Sequence, residues 1–278
     1  MSPRLDRQIR GGAASAALAD RVALERRLVE AKQLRYSVDY AQYYHGWYDE
    51  LLLDLLDPRP AQRVLDCGCG TGAFLPALQR RAPGAVGLDL CLENLQVARR
   101  SGAGASLVVA DIAALPLVPA SLDQVVCRGV LHRLPDPAIG LRQLFMVLRG
   151  GGDLVISEPI GDSRALTLLR VAARAAGVHP SPVGRVQYPT THEWLAVAQG
   201  AGFCAVRWMR LGYLAFPLLG FPEAISLLRG VPGRMALART LVRLDRVLAR
   251  VPYLNAWAWH AVFHFRKPIA AAQIPCAR

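Results

Sequence analysis

Beyond residue 60 the chain repeats one pattern: a short, mainly apolar run, a break at glycine or an acid, then a stretch whose apolar positions recur every three to four residues. The apolar runs fall at 63–67, 85–89, 106–110, 122–127 and 153–157, and the helix-compatible stretches at 73–81, 92–100 and 138–148. Strands without polar alternation, separated by helices, predict a parallel sheet buried on both faces. Upstream, Leu18, Val22, Leu24, Leu28 and Leu34 predict a helix over 14–34. An aromatic helix over 39–56 follows and stops at Asp57-Pro58-Arg59-Pro60, where proline removes a donor and restricts its predecessor.

Downstream, helices are expected over 165–176 and 191–200, the second capped by Thr191, and late strands over 203–211 and 257–265. The residues between these strands form an insertion. The pattern therefore divides into a helical lid (1–58), an α/β core (59–211), a helical insertion (212–256) and a last strand with tail (257–278), together one compact unit.

Charge changes this picture little. The formal net charge is +12, which favours anionic partners. Arginine supplies nearly all of it, since Lys32 and Lys267 are the only lysines, so charge alone does not single out a polyanion site. No apolar run approaches the roughly 20 residues that span a bilayer. The apolar patch before Asp20 is too short for a signal peptide, and a cytoplasmic protein, peripheral to membrane at most, is expected. Most of the six cysteines fall in apolar strand-like segments and are expected as reduced thiols; Cys67 and Cys69 have no second pair to complete a zinc site.

The chemistry concentrates at VLDCGCGTG, residues 64–72. An apolar strand ends in Asp66, and Gly68, Gly70 and Gly72 allow a ligand close to the backbone. With Ala73 and Asp89 the same residues also satisfy a dinucleotide-binding pattern. Charge separates the alternatives: a diphosphate beside Asp66 is disfavoured, whereas a ligand carrying an ammonium and a sulfonium suits it.

VLDCGCGTG is followed in order by VGLDL (86–90), VVADIAALP (108–116), SLDQVVCRGVLHRLPDP (121–137) and LRGGGDLVISEP (148–159). Over this span the chain resembles the class I S-adenosylmethionine-dependent methyltransferases, particularly the small-molecule branch that methylates quinones and sterols. The resemblance implies a Rossmann-like, mostly parallel seven-stranded sheet with helices on both faces. It implies S-adenosyl-L-methionine as cofactor and S-adenosyl-L-homocysteine as product. Asp66, Gly68 and Gly70 would hold the methionine end, and Asp89 both ribose hydroxyls. Leu90 and Ile112 would flank the adenine, Asp111 would take its amino group, and the Arg128 backbone would lie near the methionine moiety. Asp111 also fits the N-cap of the turn that follows it.

The resemblance places His132 at the substrate cleft, where an imidazole can serve as base. Tyr44, His45 and Tyr48 in the lid, with Glu158 at the fifth strand's end, are the candidate substrate contacts. After the fourth strand stands Cys127-Arg128-Gly129-Val130, not the Asn-Pro-Pro-aromatic loop of enzymes that methylate exocyclic amines of nucleic acid. The acceptor is accordingly expected to be a small hydrophobic or aromatic metabolite. In the insertion, Leu237, Leu241, Leu244 and Leu248 share a helix face, with Arg239, Arg243, Arg246 and Arg250 nearly opposite. That predicts peripheral membrane contact through 216–250. Two competing readings stand beside methyl transfer: a non-methylating adenosylmethionine-binding cyclase or scaffold, and a basic protein that associates with membrane or nucleic acid.

Overall fold

The computed structural model describes residues 16–102, 104, 106–175, 188–220 and 228–269. Part of the 216–228 segment, Cys276 and the tail beyond 269 lie outside the described residues.

Seven strands form one sheet: β1 (Val64–Cys67), β2 (Val86–Asp89), β3 (Ser106–Val109), β4 (Leu122–Arg128), β5 (Leu148–Pro159), β6 (Cys204–Leu211) and β7 (His260–Arg266). Their order is β3-β2-β1-β4-β5-β7-β6, with β7 alone antiparallel to its neighbours. The chain reverses its direction of travel across the sheet between β1 and β4, the switch point where open α/β sheets hold ligands at the carboxyl ends of their strands.

Successive residues of the central strands feed opposite faces. Leu65, Val125, Leu154 and Phe263 pack against α6 (Pro137–Val147) and α8 (Thr191–Gly200), where Trp194 is fully buried. Val64, Val126, Val155 and Val262 pack on the other face against α3 (Asp39–Leu56) and α4 (Leu75–Arg81). The core is therefore continuous through the sheet, as the mainly apolar runs require.

The helix expected over 14–34, described from residue 16, is broken once: α1 covers 16–27, Leu28 forms a turn, and α2 runs Val29–Ser37. The first half of α3 then packs on the insertion, built from α9 (Ala215–Leu219), α10 (Arg234–Leu248) and the 3-10 turn Pro252–Trp257. The leucines of the insertion divide between two sides of α10. Leu241 is buried, but Leu237 and Leu244 face solvent, because the inward stripe is Ala238, Leu241, Val242 and Asp245. The acid belongs there because its carboxylate accepts the N–H groups of Tyr213, Leu214 and Ala215 at 3.0, 2.7 and 3.2 Å, satisfying free donors at the start of α9.

Three smaller expectations are also corrected. Thr190, not Thr191, caps α8, in a reciprocal capping box with Glu193. Trp257 ends the 3-10 turn, and β7 starts at His260. Cys204 is disulfide-bonded: it opens the edge strand β6 and is only half-buried, whereas Cys67, Cys69, Cys91 and Cys127 are buried and free. Among the described residues no helix is long and apolar enough to cross a membrane, and no cluster of metal-ligating side chains occurs.

Candidate functional site

The glycine turn leaves β1 in the left-handed region, with φ of +82° at Gly68, +55° at Gly70 and +79° at Gly72. A Cβ on Gly68 would stand 2.2 Å from Val130 Cγ2, so close approach as well as φ excludes a side chain there. Four of the turn's N–H groups are already committed. Gly68 and Cys69 donate to the Leu88 carbonyl at 2.6 and 2.9 Å, Gly70 donates to Asp89 Oδ2 at 2.8 Å, and Gly72 donates to the Cys69 carbonyl at 3.0 Å. A diphosphate needs free N–H groups pointed at it, and these are turned away.

The strand ends β1, β2, β4 and β5 border a cavity of about 480 Å³ that α1, α2 and α3 cover. Gly68, Gly70, Asp89, Leu90, Asp111, Ile112, Arg128, His132 and Glu158 line it, and Tyr44, His45 and Tyr48 enter from α3. Asp66 is the exception among the expected site residues. It is fully buried but does not border the cavity, and neither carboxylate oxygen has a partner. Burial pushes its carboxyl up to about 7, against the pull of Arg128.

Asp89 is well occupied by its own fold. Besides Gly70, its Oδ1 accepts from the Cys91 N–H at 2.9 Å and from Asn94 Nδ2 at 3.0 Å, which leaves one acceptor position on Oδ2. Asp111 caps the following turn through the Ala113 N–H at 2.9 Å and pairs with Arg21 of α1. Glu25 pairs with both Lys32 and Arg133, so the N-terminal helices are fastened over the cavity by ion pairs.

Two buried pairs were not legible in the sequence. The Arg128 guanidinium meets Asp49 Oδ1 at 2.5 Å and lies 4.2 Å above the Phe74 ring. Burial still holds the Asp49 carboxyl up at about 6, with Arg128 opposing the shift. Tyr48 hydrogen-bonds the Ser157 hydroxyl.

Two expected residues, His132 and Glu158, prove to be partners. His132 Nδ1 lies 2.5 Å from Glu158 Oε2, while Glu158 Oε1 accepts the N–H groups of Val130 and Leu131 at 3.0 and 2.8 Å. The carboxylate is fully buried, so an Nδ1–H donor is the tautomer it favours, leaving the Nε2 lone pair free. Deeper in, His260 is buried with both ring nitrogens unpartnered, 4.3 Å from the Phe216 ring and 5.3 Å from the Tyr48 ring. Burial depresses its pKa to about 3, and that of His45 to about 3, so both rings are neutral. His260 gave one sequence signal, a polar residue directly before the apolar run Ala261-Val262-Phe263.

A family profile described as a methyltransferase domain matches residues 65–156. A ubiquinone biosynthesis O-methyltransferase of Hahella chejuensis is 30% identical over 186 residues, covering 60% of this chain and 74% of that protein. The chain belongs to the class I S-adenosylmethionine-dependent methyltransferases. A 37.1 kDa transposon protein of Streptomyces fradiae is 38% identical over 122 residues, 42% of this chain, but the chain spans only 35% of that relative's length. Among solved structures, the [4+2]-cyclase SpnF shares the methyltransferase fold with a TM-score of 0.56 at 18% identity, over 80% of each chain. S-adenosylmethionine is the cofactor of the family, and the cavity lies where its fold binds ligands.

Proposed function

We propose that the chain transfers a methyl group from S-adenosylmethionine to a hydroxyl oxygen of a small, mainly apolar acceptor, with His132 as the base. The observation that carries this reading is the His132–Glu158 pair, set in the wall of a cavity to which Tyr44, Tyr48, Phe216 and Trp259 also contribute.

The charges of the site support the cofactor. Arg128, held by Asp49 and bordering the cavity, suits the carboxylate of an amino-acid group. Gly70 leaves space beside it, Asp89 retains one acceptor for a ribose hydroxyl, and Leu90 and Ile112 offer apolar faces for adenine, near Asp111. When bound, the cofactor supplies a methyl already activated on sulfur. The chain's own tasks are then to orient the acceptor, exclude water and remove a proton. His132 Nε2 accepts the hydroxyl proton, and Glu158 stabilises the resulting imidazolium through Nδ1–H. Tyr44, Tyr48, Phe216 and Trp259 would enclose the apolar body of the acceptor. A compound of that kind partitions into membranes, which then serve as its reservoir.

Asp89→Ala is expected to weaken S-adenosylhomocysteine binding by about 1.5–3 kcal/mol, the range for one charge-assisted hydrogen bond. Unchanged affinity by calorimetry would remove Asp89 from the ribose contact. The reading as a whole is tested with methyl-labelled cofactor and parallel sets of hydrophobic phenols, carboxylic acids and amines. Label is expected in phenolic methyl ethers. Tight cofactor binding with no labelled product from any set would favour the non-methylating cyclase or scaffold instead.

A further inference from the structure

The three sides of α10 carry different chemistry. Ala238, Leu241, Val242 and Asp245 face the core. Arg239, Arg243, Arg246 and Arg250 form a second, exposed stripe, and no ion pair joins any of them to a carboxylate among the described residues. Leu237, Leu244, Val247 and Val251 form a third stripe, also exposed.

This apolar stripe runs on into the Pro252–Trp257 turn, where Tyr253 is 93% exposed and Trp257 40%. That turn packs on α7 (Arg164–Ala175), which presents Leu168 and Val171, each more than half exposed. Across α7, α10 and the turn the only carboxylate is Asp245, and it is buried beneath the helix. An exposed apolar band bordered by unpaired arginines, with no accessible acid, has the chemistry of an interfacial membrane contact: apolar side chains enter the acyl boundary and guanidinium groups reach the phosphates.

We propose that this surface, formed by α7, α10 and the 252–257 turn, docks the protein on an anionic lipid bilayer. Charge selects the occupant. A second copy of the same face would oppose arginine to arginine, and a nucleic acid would leave the apolar band without a partner. The position has a functional consequence, since α7 also contributes Leu166 to the cavity wall. An apolar acceptor dissolved in the bilayer would thus lie beside an element of the site. The surface argument itself does not depend on methyl transfer, and its test needs no acceptor.

Flotation with phosphatidylcholine vesicles, with and without about a third phosphatidylglycerol, measures the contact on the full chain. Binding is expected to the anionic vesicles only. Arg239→Glu, Arg243→Glu and Arg246→Glu together should lower partitioning at least about a hundredfold, since each basic residue at an anionic surface contributes roughly fivefold. Leu244→Ser, Val247→Ser and Tyr253→Ser together should lower it about tenfold or more without any change of charge. Calorimetry with S-adenosylhomocysteine establishes that both variants remain folded. Loss in the arginine variant alone, with equal competition by heparin, would identify a polyanion site and overturn the proposal. Vesicle binding unchanged in both variants would overturn it, as would a serine variant whose only change is from dimer to monomer.

Discussion

His132→Ala is expected to reduce kcat by about 10²–10⁴-fold, the contribution of a positioned general base, while S-adenosylhomocysteine affinity stays at its wild-type value. The split follows from geometry: His132 borders the cavity, and its Nδ1 is engaged by Glu158, leaving Nε2 as the group that can take a proton. Glu158→Gln is a sharper version of the same test. Glutamine can still accept the Val130 and Leu131 N–H groups, so the turn should survive. Its amide N–H, placed against Nδ1, would draw the ring into the opposite tautomer and move the proton onto Nε2. A base held in the wrong tautomer loses most of its rate advantage, so kcat should fall by about two orders of magnitude or more with little change in KM. Wild-type kcat in both variants would exclude the pair from the chemistry.

What the sequence made legible was local. Each βα unit announces itself by an apolar run and a strand-end residue, so the glycine turn, Asp89, Asp111 and the order of β1 to β5 could be read one segment at a time. The partnerships could not, because each joins distant segments: Asp49 of α3 to Arg128 of β4, Tyr48 to Ser157, His132 to Glu158. Asp66 illustrates the difference. Its charge is the sequence's argument against a diphosphate, yet Asp66 does not border the cavity and burial pushes its carboxyl up to about 7; the N–H groups of Gly68, Cys69 and Gly70 are spent on Leu88 and Asp89, which only the register of β1 and β2 reveals. On α10 the leucine spacing shows two faces, but not that the inward stripe lies between them, because nothing in the sequence marks Asp245 as the buried acceptor for α9. Periodicity locates a helix; what its polar residues are bonded to decides which side faces in.

His260→Leu should make the cofactor-free protein more stable and the enzyme worse. The wild-type ring is enclosed with two unpartnered nitrogens, and an unsatisfied buried polar atom costs about 1–3 kcal/mol. Leucine has similar volume and no such atoms, so a gain of about 1–2 kcal/mol is expected at pH 7 by denaturant titration. The gain should widen in acid. The native pKa of His260 is depressed to about 3 and the unfolded value is near 6.5, so between these limits the unfolded chain binds the extra proton. Wild-type stability therefore falls as pH drops through that window, and the leucine variant is spared about 1.4 kcal/mol per pH unit of the loss. His45, with a pKa also near 3, imposes the same slope on both proteins and cancels in the comparison. If the nitrogens instead meet a hydroxyl or carbonyl of the bound acceptor, the variant's kcat/KM should drop about tenfold, a lost buried hydrogen bond, with cofactor affinity unchanged. A variant less stable than wild type at pH 7 would mean that the ring is satisfied within the fold. Increased stability with full activity would mean that the acceptor never reaches it. Only the opposed pair of changes is consistent with a polar group left unpaired by the fold and completed by the substrate.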